Sequence, residues 1–290
     1  MNREQELEEL CQILALLELP KIVQQLIKDY IGKNFEKVRE MALDAYDGEV
    51  PNFHLCSRKP FTRLVVVCYK LIQVRMKFHA IRIPDNIFID TISDITLRQQ
   101  LYLKNTGKIG LDKDSVVWFR HIFNIHIFKL NTLQFQLFHM LYLDEEIVGE
   151  PYMTFSEEQK KQLPAGTPVI NIHIQHGANI NPSEVAKSFD MAKNFFTKFF
   201  PQHQYEAFIC YSWLLYPGNK KLLSEMSNIN RFADHFSIIG QVQDNEDAIK
   251  RIYGRRFKKK MDYPQDTVLQ KNAIKHFKWL GEACGVIIKQ

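Results

Sequence analysis

A change of hydrophobic period partway along the chain constrains its fold more than any other feature. Up to about residue 110 the apolar residues recur at spacings of three and four, the signature of amphipathic helices. In IHIFKLNTLQFQLFHMLYL (125–143) that period is gone. There Leu133, Phe135, Leu137, His139 and Leu141 alternate with Gln134, Gln136, Phe138, Met140 and Tyr142. Alternation at period two predicts strands, with Asn131-Thr132 as the turn of a hairpin. The chain therefore divides into a helical N-terminal half and a second half that mixes strands and helices, an α+β outline. The split predicts domains over residues 1–125 and 126–290.

The helical half reads as a series of discrete segments. Leu7, Leu10, Leu14 and Leu17 form one stripe over residues 3–19, ended near Pro20. A second helix follows with Pro20 in its first turn. A third spans 34–46 and is closed by Asp47-Gly48. After a loop carrying Pro51 and Pro60, residues 61–79 read as a buried helix, and 84–105 as one or two more. Residues 113–124 still suit a helix. In the second half a polar connector with Pro151, Pro164 and Gly166 leads to strands at 167–174, 205–213 and 236–242. Helices are expected between them at 182–200 and 224–236, and a terminal helix at 267–283.

With 46% hydrophobic and 24% charged residues, the 290-residue chain has the composition of a soluble globular protein. No apolar run approaches the ~20 residues that cross a bilayer, and the charged start MNREQELEEL is unlike a secretory signal. A cytoplasmic location is expected. The five cysteines are scattered and never spaced as CxxC, which argues against disulfides and a cysteine zinc site. Net charge is a mild +5, with one basic run, RRFKKK (255–260). Such a run reads first as a solvated loop; the functional alternative is an anion or nucleic-acid patch. Aromatic residues sit at core spacings rather than among basic residues, so no nucleic-acid partner is expected.

Histidine is the first candidate for chemistry because its pKa lies near neutrality. His121 and His126 are five apart, and no pair has the three- or four-residue spacing of a helical metal site, so no metal is expected. His173 stands out. In VINIHI, Ile170, Ile172 and Ile174 share one face, which leaves Asn171 and His173 on the other, as a solvated face or a cleft wall. At a strand end His173 suits a general base for an incoming amine. Cys210 alternates with Phe208 and reads as a small core residue rather than a nucleophile. Ser212 lacks a nucleophile elbow.

Between the strand ending near 174 and the helix starting at 182 lies QHGANINPSE. Such junctions hold anions where backbone N–H groups and the helix dipole converge. Here Asn181 reads as the helix cap, Pro182 has no N–H, and Glu184 adds negative charge to the first turn. A phosphate would instead meet the loop amides around Gly177 and Ala178.

Three segments together resemble a known family: residues 114–136, 169–201 and 208–236, the last carrying CYSWLL and SNINRF. They are similar to bacterial proteins with an N-terminal acyltransferase-associated domain and a GNAT-like C-terminal domain. The resemblance runs over roughly the last 180 residues and is expected to extend over the whole chain. It implies transfer of an acyl group from acyl-CoA, as co-substrate, to the amine of a small acceptor. It also implies that the strand at 168–174 splays from that at 206–213 to open a slot for pantetheine. In that family's terms Gln175, Gly177 and Ala178 would meet the CoA phosphates, and Asn228 would bond the pantetheine or the leaving thiol. His173 would be the base and His235 an acid. The Gln175–Ala178 stretch is one residue shorter than the superfamily's phosphate loop, and its usual tyrosine acid has no clear counterpart. The alternative is a non-catalytic ligand-binding or regulatory protein on the same fold.

Overall fold

The computed structural model describes residues 1–46, 53–149 and 152–289. Asp47-Gly48, Pro51 and Pro151, expected to end a helix and to mark loops, lie outside the described residues. Two compact units divide the chain, Met1–Lys129 and Leu130–Gln290.

The first unit is helical. It comprises α1 (Arg3–Leu16), α2 (Lys21–Asp44), α3 (Pro60–Ala80), α4 (Asp85–Thr106), α5 (Lys113–Trp118) and α6 (Arg120–Phe123). The second and third helices expected from the sequence are one element, α2, kinked at Asn34 (φ −133°, ψ 31°). The Asn34 amide side chain donates to the Tyr30 carbonyl, the local competition with helix bonding that favours a break. Pro20 precedes α2 as its cap residue rather than lying within it. α3 is buried on nearly every side from Arg63 to Ile72. The two terminal nitrogens of the buried Arg63 guanidinium donate to the carbonyls of Leu111 (3.1 Å) and Cys56 (2.7 Å), which offsets part of the cost of burying the charge. α4 is a single helix stopped by Gly107 in the left-handed conformation (φ 70°).

The second unit is built on a sheet of six strands: β1 (Ile127–Leu130), β2 (Leu133–His139), β3 (Pro168–His173), β4 (Ala207–Ser212), β5 (Ser237–Val242) and β6 (Glu282–Ile288). Their order is β1-β2-β3-β4-β6-β5. β3 and β4 run parallel, whereas β2 with β3, β4 with β6, and β5 with β6 run antiparallel. The turn before β2 is made as expected at Asn131, which adopts φ 61°, a conformation asparagine tolerates. Between the strands lie α7 (Glu145–Val148), α8 (Glu157–Gln162), α9 (Pro182–Phe199), α10 (Asn219–Leu222), α11 (Asn228–Ala233), α12 (Glu246–Tyr253) and α13 (Val268–Ala273).

Two expectations are corrected here. The helix expected over 224–236 is only α11, started by Ser227, whose side chain accepts from the Asn230 amide. The terminal helix expected at 267–283 stops at Ala273, and the chain ends instead in β6, inserted between β4 and β5. The reason is close approach. A Cβ at Gly285 would lie 2.8 Å from side-chain atoms of Leu215 and Phe236, so a residue without one lets the strand pass beneath them.

Strand alternation sorts the sheet into two faces. Phe135, Ile170, Ile172 and Phe208 point to the side covered by α9. There Phe189 meets Phe135 and Phe208 edge-on, with ring centroids 6.0 and 5.3 Å apart. α9 supplies Val185, Phe189, Ala192, Phe195 and Phe196 to this core, each large side chain stabilising by roughly 1.5–3 kcal/mol when fully buried. The other face carries Val169, Ala207, Ile209, Cys284 and Val286, which join Met140, Tyr142, Met153 and Phe155 in a second core.

Candidate active site at the open end of two parallel strands

β3 and β4 are paired only at Val169–Ala207, Ile170–Phe208 and Asn171–Ile209. Among the described residues the parallel ladder ends there, although β3 continues to His173 and β4 stays paired with β6 as far as Ser212. The C-terminal ends of these two adjacent strands are thus not paired with each other. Crevices outside the carboxyl ends of parallel strands are the usual ligand positions in such sheets.

His173 stands at the end of β3 on the face away from α9. Directly opposite it on β2 is Gln134, and Gln136 is opposite Asn171. His173 Nε2 lies 2.7 Å from Gln136 Oε1. With the carboxamide oxygen as acceptor, this contact orients the imidazole ring. The ring is partly buried, while Gln134, Gln136 and Asn171 are 1%, 5% and 7% exposed. Of the two readings of this polar strand face, solvated surface or cleft wall, burial argues against the solvated surface.

His235 is elsewhere. It lines a cavity of about 530 Å³ with Phe189, Asp190 and Lys193 of α9, Tyr205 and Phe208, and the end of β6. Its ring is 6.0 Å from that of Phe189. Phe189 belongs to the α9 side of the sheet and His173 to the other, so the fold does not bring the two histidines together. Cys210 is likewise on the α9 side, one residue out of phase with His173; burial pushes its thiol pKa far up. Ser212 accepts from the Leu214 amide and serves the following turn.

The loop after β3 turns tightly. Gly177 adopts φ +75°, and an added Cβ there would meet nothing within 4 Å, so the glycine is required by backbone conformation rather than by crowding. The Ala178 amide donates to the Gln175 carbonyl at 3.1 Å. That bond takes up the very N–H expected to meet a phosphate. Asn181 does not cap α9 with its side chain, contrary to the sequence reading. Its amide instead donates to Asn179 Oδ1 (3.2 Å), and its own Oδ1 accepts from Asn228. Asn181 and Asn228 therefore tie the starts of α9 and α11 together. Glu184 is held by Asn131, which donates to its carboxylate at 2.9 Å and fastens α9 to the hairpin turn. Gln175 Nε2 is buried without a hydrogen-bond partner.

Sequence reasoning passed over Gln134 and Gln136 as site residues. The alternation of 133–139 puts both on one face of β2; the register that sets them beside His173 and their burial are not in that pattern. Tyr211 follows Ile209 on the same face of β4. Its hydroxyl donates to the Leu141 carbonyl, and burial raises its pKa, so it stays protonated and braces the fold. Among the described residues no group of three or more His, Cys, Asp or Glu side chains is placed to hold a metal ion, and no helix is long and apolar enough to cross a membrane.

The comparisons agree with this architecture over the whole chain. The model of the N-acyltransferase N-terminal domain matches residues 3–125, and that of the GNAT-like C-terminal domain matches residues 127–287. Among solved structures, an acyltransferase in complex with decanoyl-CoA and teicoplanin is 17% identical, with a TM-score of 0.73, covering 96% of this chain and 86% of that one. An acyltransferase in complex with decanoyl-CoA is also 17% identical, with a TM-score of 0.73 and coverage of 96% and 87%. A third, in complex with CoA and 10C-teicoplanin, is 16% identical, with a TM-score of 0.73 and coverage of 96% and 86%. Likeness at this identity shows the fold. No curated protein matches the chain. The chain belongs to the N-acyltransferase family whose C-terminal domain is GNAT-like.

Proposed function

We propose that the protein is an N-acyltransferase that moves an acyl group from acyl-CoA, its co-substrate, to the amine of a small acceptor in the cytoplasm. The parting of β3 and β4 beyond Asn171 and Ile209, with His173 at the open end, is the observation that carries this reading. A gap between two strands admits an extended thioester arm, and its exposed backbone edges offer the arm hydrogen bonds. The assignment of acyl transfer to residues 126–290, with 1–125 as the helical companion domain, is part of the same proposal.

His173 acts as the base. Its ring is oriented by Gln136 and takes the proton from the attacking nitrogen as the new C–N bond forms. The C–S bond then breaks, and the leaving thiolate takes up the proton that His173 removed from the amine, so that amide and free thiol balance amine and thioester. Gly177 gives the loop its turn beside the anionic end of the donor, with Gln175 as a side-chain donor. Ala178 is set aside as an amide donor. Asn228 keeps its polar side chain at the start of α11. His235 is set aside as the acid, since it lies across the sheet from His173.

Release of free CoA thiol that depends on added amine tests the proposal, with His173→Ala as the paired variant. A wild type that releases no thiol, and whose melting temperature does not move at millimolar acyl-CoA, would overturn it.

One observation favours a second reading, a ligand-binding protein without turnover. The Ala178 amide is consumed by its own turn and Glu184 places a carboxylate in the first turn of α9, which weakens the loop as a phosphate cradle. That reading predicts a thermal shift with acyl-CoA but no amine-dependent thiol release.

A further inference from the structure

The sheet face around His173 holds more hydrogen-bonding capacity than the fold uses. Gln134 and Asn171 are each more than nine-tenths buried, yet Gln134 Nε2 and Asn171 Oδ1 have no hydrogen-bond partner. Gln175, two residues past β3, adds a further unpartnered buried Nε2. Buried polar atoms are otherwise paired in folded proteins, and replacing an unpaired one by an apolar group of equal shape removes a penalty. Other buried polar groups of the second unit illustrate the rule. Ser188 donates to the Glu184 carbonyl, and Asn230 donates to the carbonyls of Leu223 and Ser224. Asn219 Oδ1 is also unpartnered, but its amide nitrogen is anchored to the carbonyls of Trp213 and Leu214.

Arg63, Arg75 and Gln99 of the helical unit also carry unpartnered buried atoms, but those of Gln134, Asn171 and Gln175 fall around the end of β3. Gln134 lies opposite His173 on β2, and Asn171 is two residues before it on β3, so all three share one sheet face. Asn171 is also the last residue of β3 paired with β4, and so borders the point where the strands part. What is left open is one acceptor, Asn171 Oδ1, and two donors, Gln134 Nε2 and Gln175 Nε2. A carboxamide is the complement: its N–H gives one hydrogen bond and its oxygen accepts two.

We infer that Gln134 and Asn171 form an amide-recognising subsite beside His173, which positions a substrate through a carboxamide group. The inference rests on the acyl-transfer reading and deepens it. Two substrates could bring that group: the acceptor, if it is an amino amide or peptide-like amine, and the pantetheine arm of the donor. Gln134 and Asn171 are positioning residues, since the proton moves on His173.

Gln134→Met and Asn171→Leu keep approximate shape and remove the polar atoms. Kinetics are compared for an ω-amino amide and the alkylamine of the same length. If the acceptor uses the subsite, the wild type prefers the amino amide, and both variants lose the preference through a rise in its KM of at least about tenfold, with the loss in KM rather than kcat. If the donor uses it, the KM for acyl-CoA rises by that factor and the acceptor KM does not. In either case the melting temperature is unchanged or raised. Unchanged KM for both substrates would overturn the inference, as would a fall in melting temperature of several degrees, because the atoms would then be bonded within the protein. Thermal shifts with pantetheine and with the amino amide read the subsite without turnover. Wild-type shifts lost in the variants, with no acyl transfer, would sink the enzyme reading and keep the subsite. Turnover with no difference between wild type and variants would sink the subsite alone.

Discussion

At His173 the hydrogen bond with Gln136 orients the ring that the proposed chemistry depends on. Replacing it by alanine should lower kcat by about 10²- to 10⁴-fold, the usual contribution of a general base, with little change in the thermal shift produced by acyl-CoA. Single-turnover rates at saturating donor would check this. A second histidine carries a stability prediction. Burial, followed by the charges of Arg120 and His126, holds the His121 pKa down to about 4 from the ordinary 6.5. A depressed folded pKa contributes stability that is present above 6.5 and is lost as pH falls toward 4. Melting temperatures from pH 7.5 to 4 should therefore fall more steeply for the wild type than for His121→Phe; parallel curves would contradict it. Residue roles were legible in part. Alternation in VINIHI put Asn171 and His173 on one face, and alternation in LQFQ put Gln134 and Gln136 on one face. What the pattern cannot supply is burial, because that depends on which elements cover the sheet. His235 was misplaced for a similar reason: its distance along the chain from Asn228 says nothing of which side of the sheet it reaches.

Elements with a clean period were legible, and those held by tertiary packing were not. The stripe of Val185, Phe189, Ala192 and Phe196 is a helix at any reading, and its end at Phe199 is within a residue of the expected one. β6 was not legible, because a capping box at Thr267 and Gln270 starts a genuine helical turn just before it. Seven residues of EACGVII alone cannot announce that they lie between two other strands. That position makes β6 a sensitive element. Gly285→Val should destabilise the second unit by about 1–3 kcal/mol, the cost of forcing extra methyl groups into a packed site, measured by urea unfolding. Phe189→Ala, which removes the ring shared by Phe135, Phe208 and His235, should cost about 3–5 kcal/mol. An effect under half a kcal/mol at either site would mean that α9 and β6 are not held as described.

Across the whole molecule, the two halves legible from hydrophobic period correspond to a helical unit and a sheet unit, and family membership spans both. The chemistry is assigned to the sheet unit alone, where strand divergence, a partly buried histidine and unused amide groups lie at one end of β3. The net charge of +5 suits an anionic donor in solution, and ligand held at 100 times its dissociation constant adds about 2.7 kcal/mol of stability. The central claim, that this end of the sheet takes an acyl group from CoA and places it on an amine, is tested most directly by free-thiol release from acyl-CoA with and without a primary amine. The account predicts release that rises with amine concentration and collapses in His173→Ala. Equal release with and without amine, or undiminished release by the variant, would contradict it.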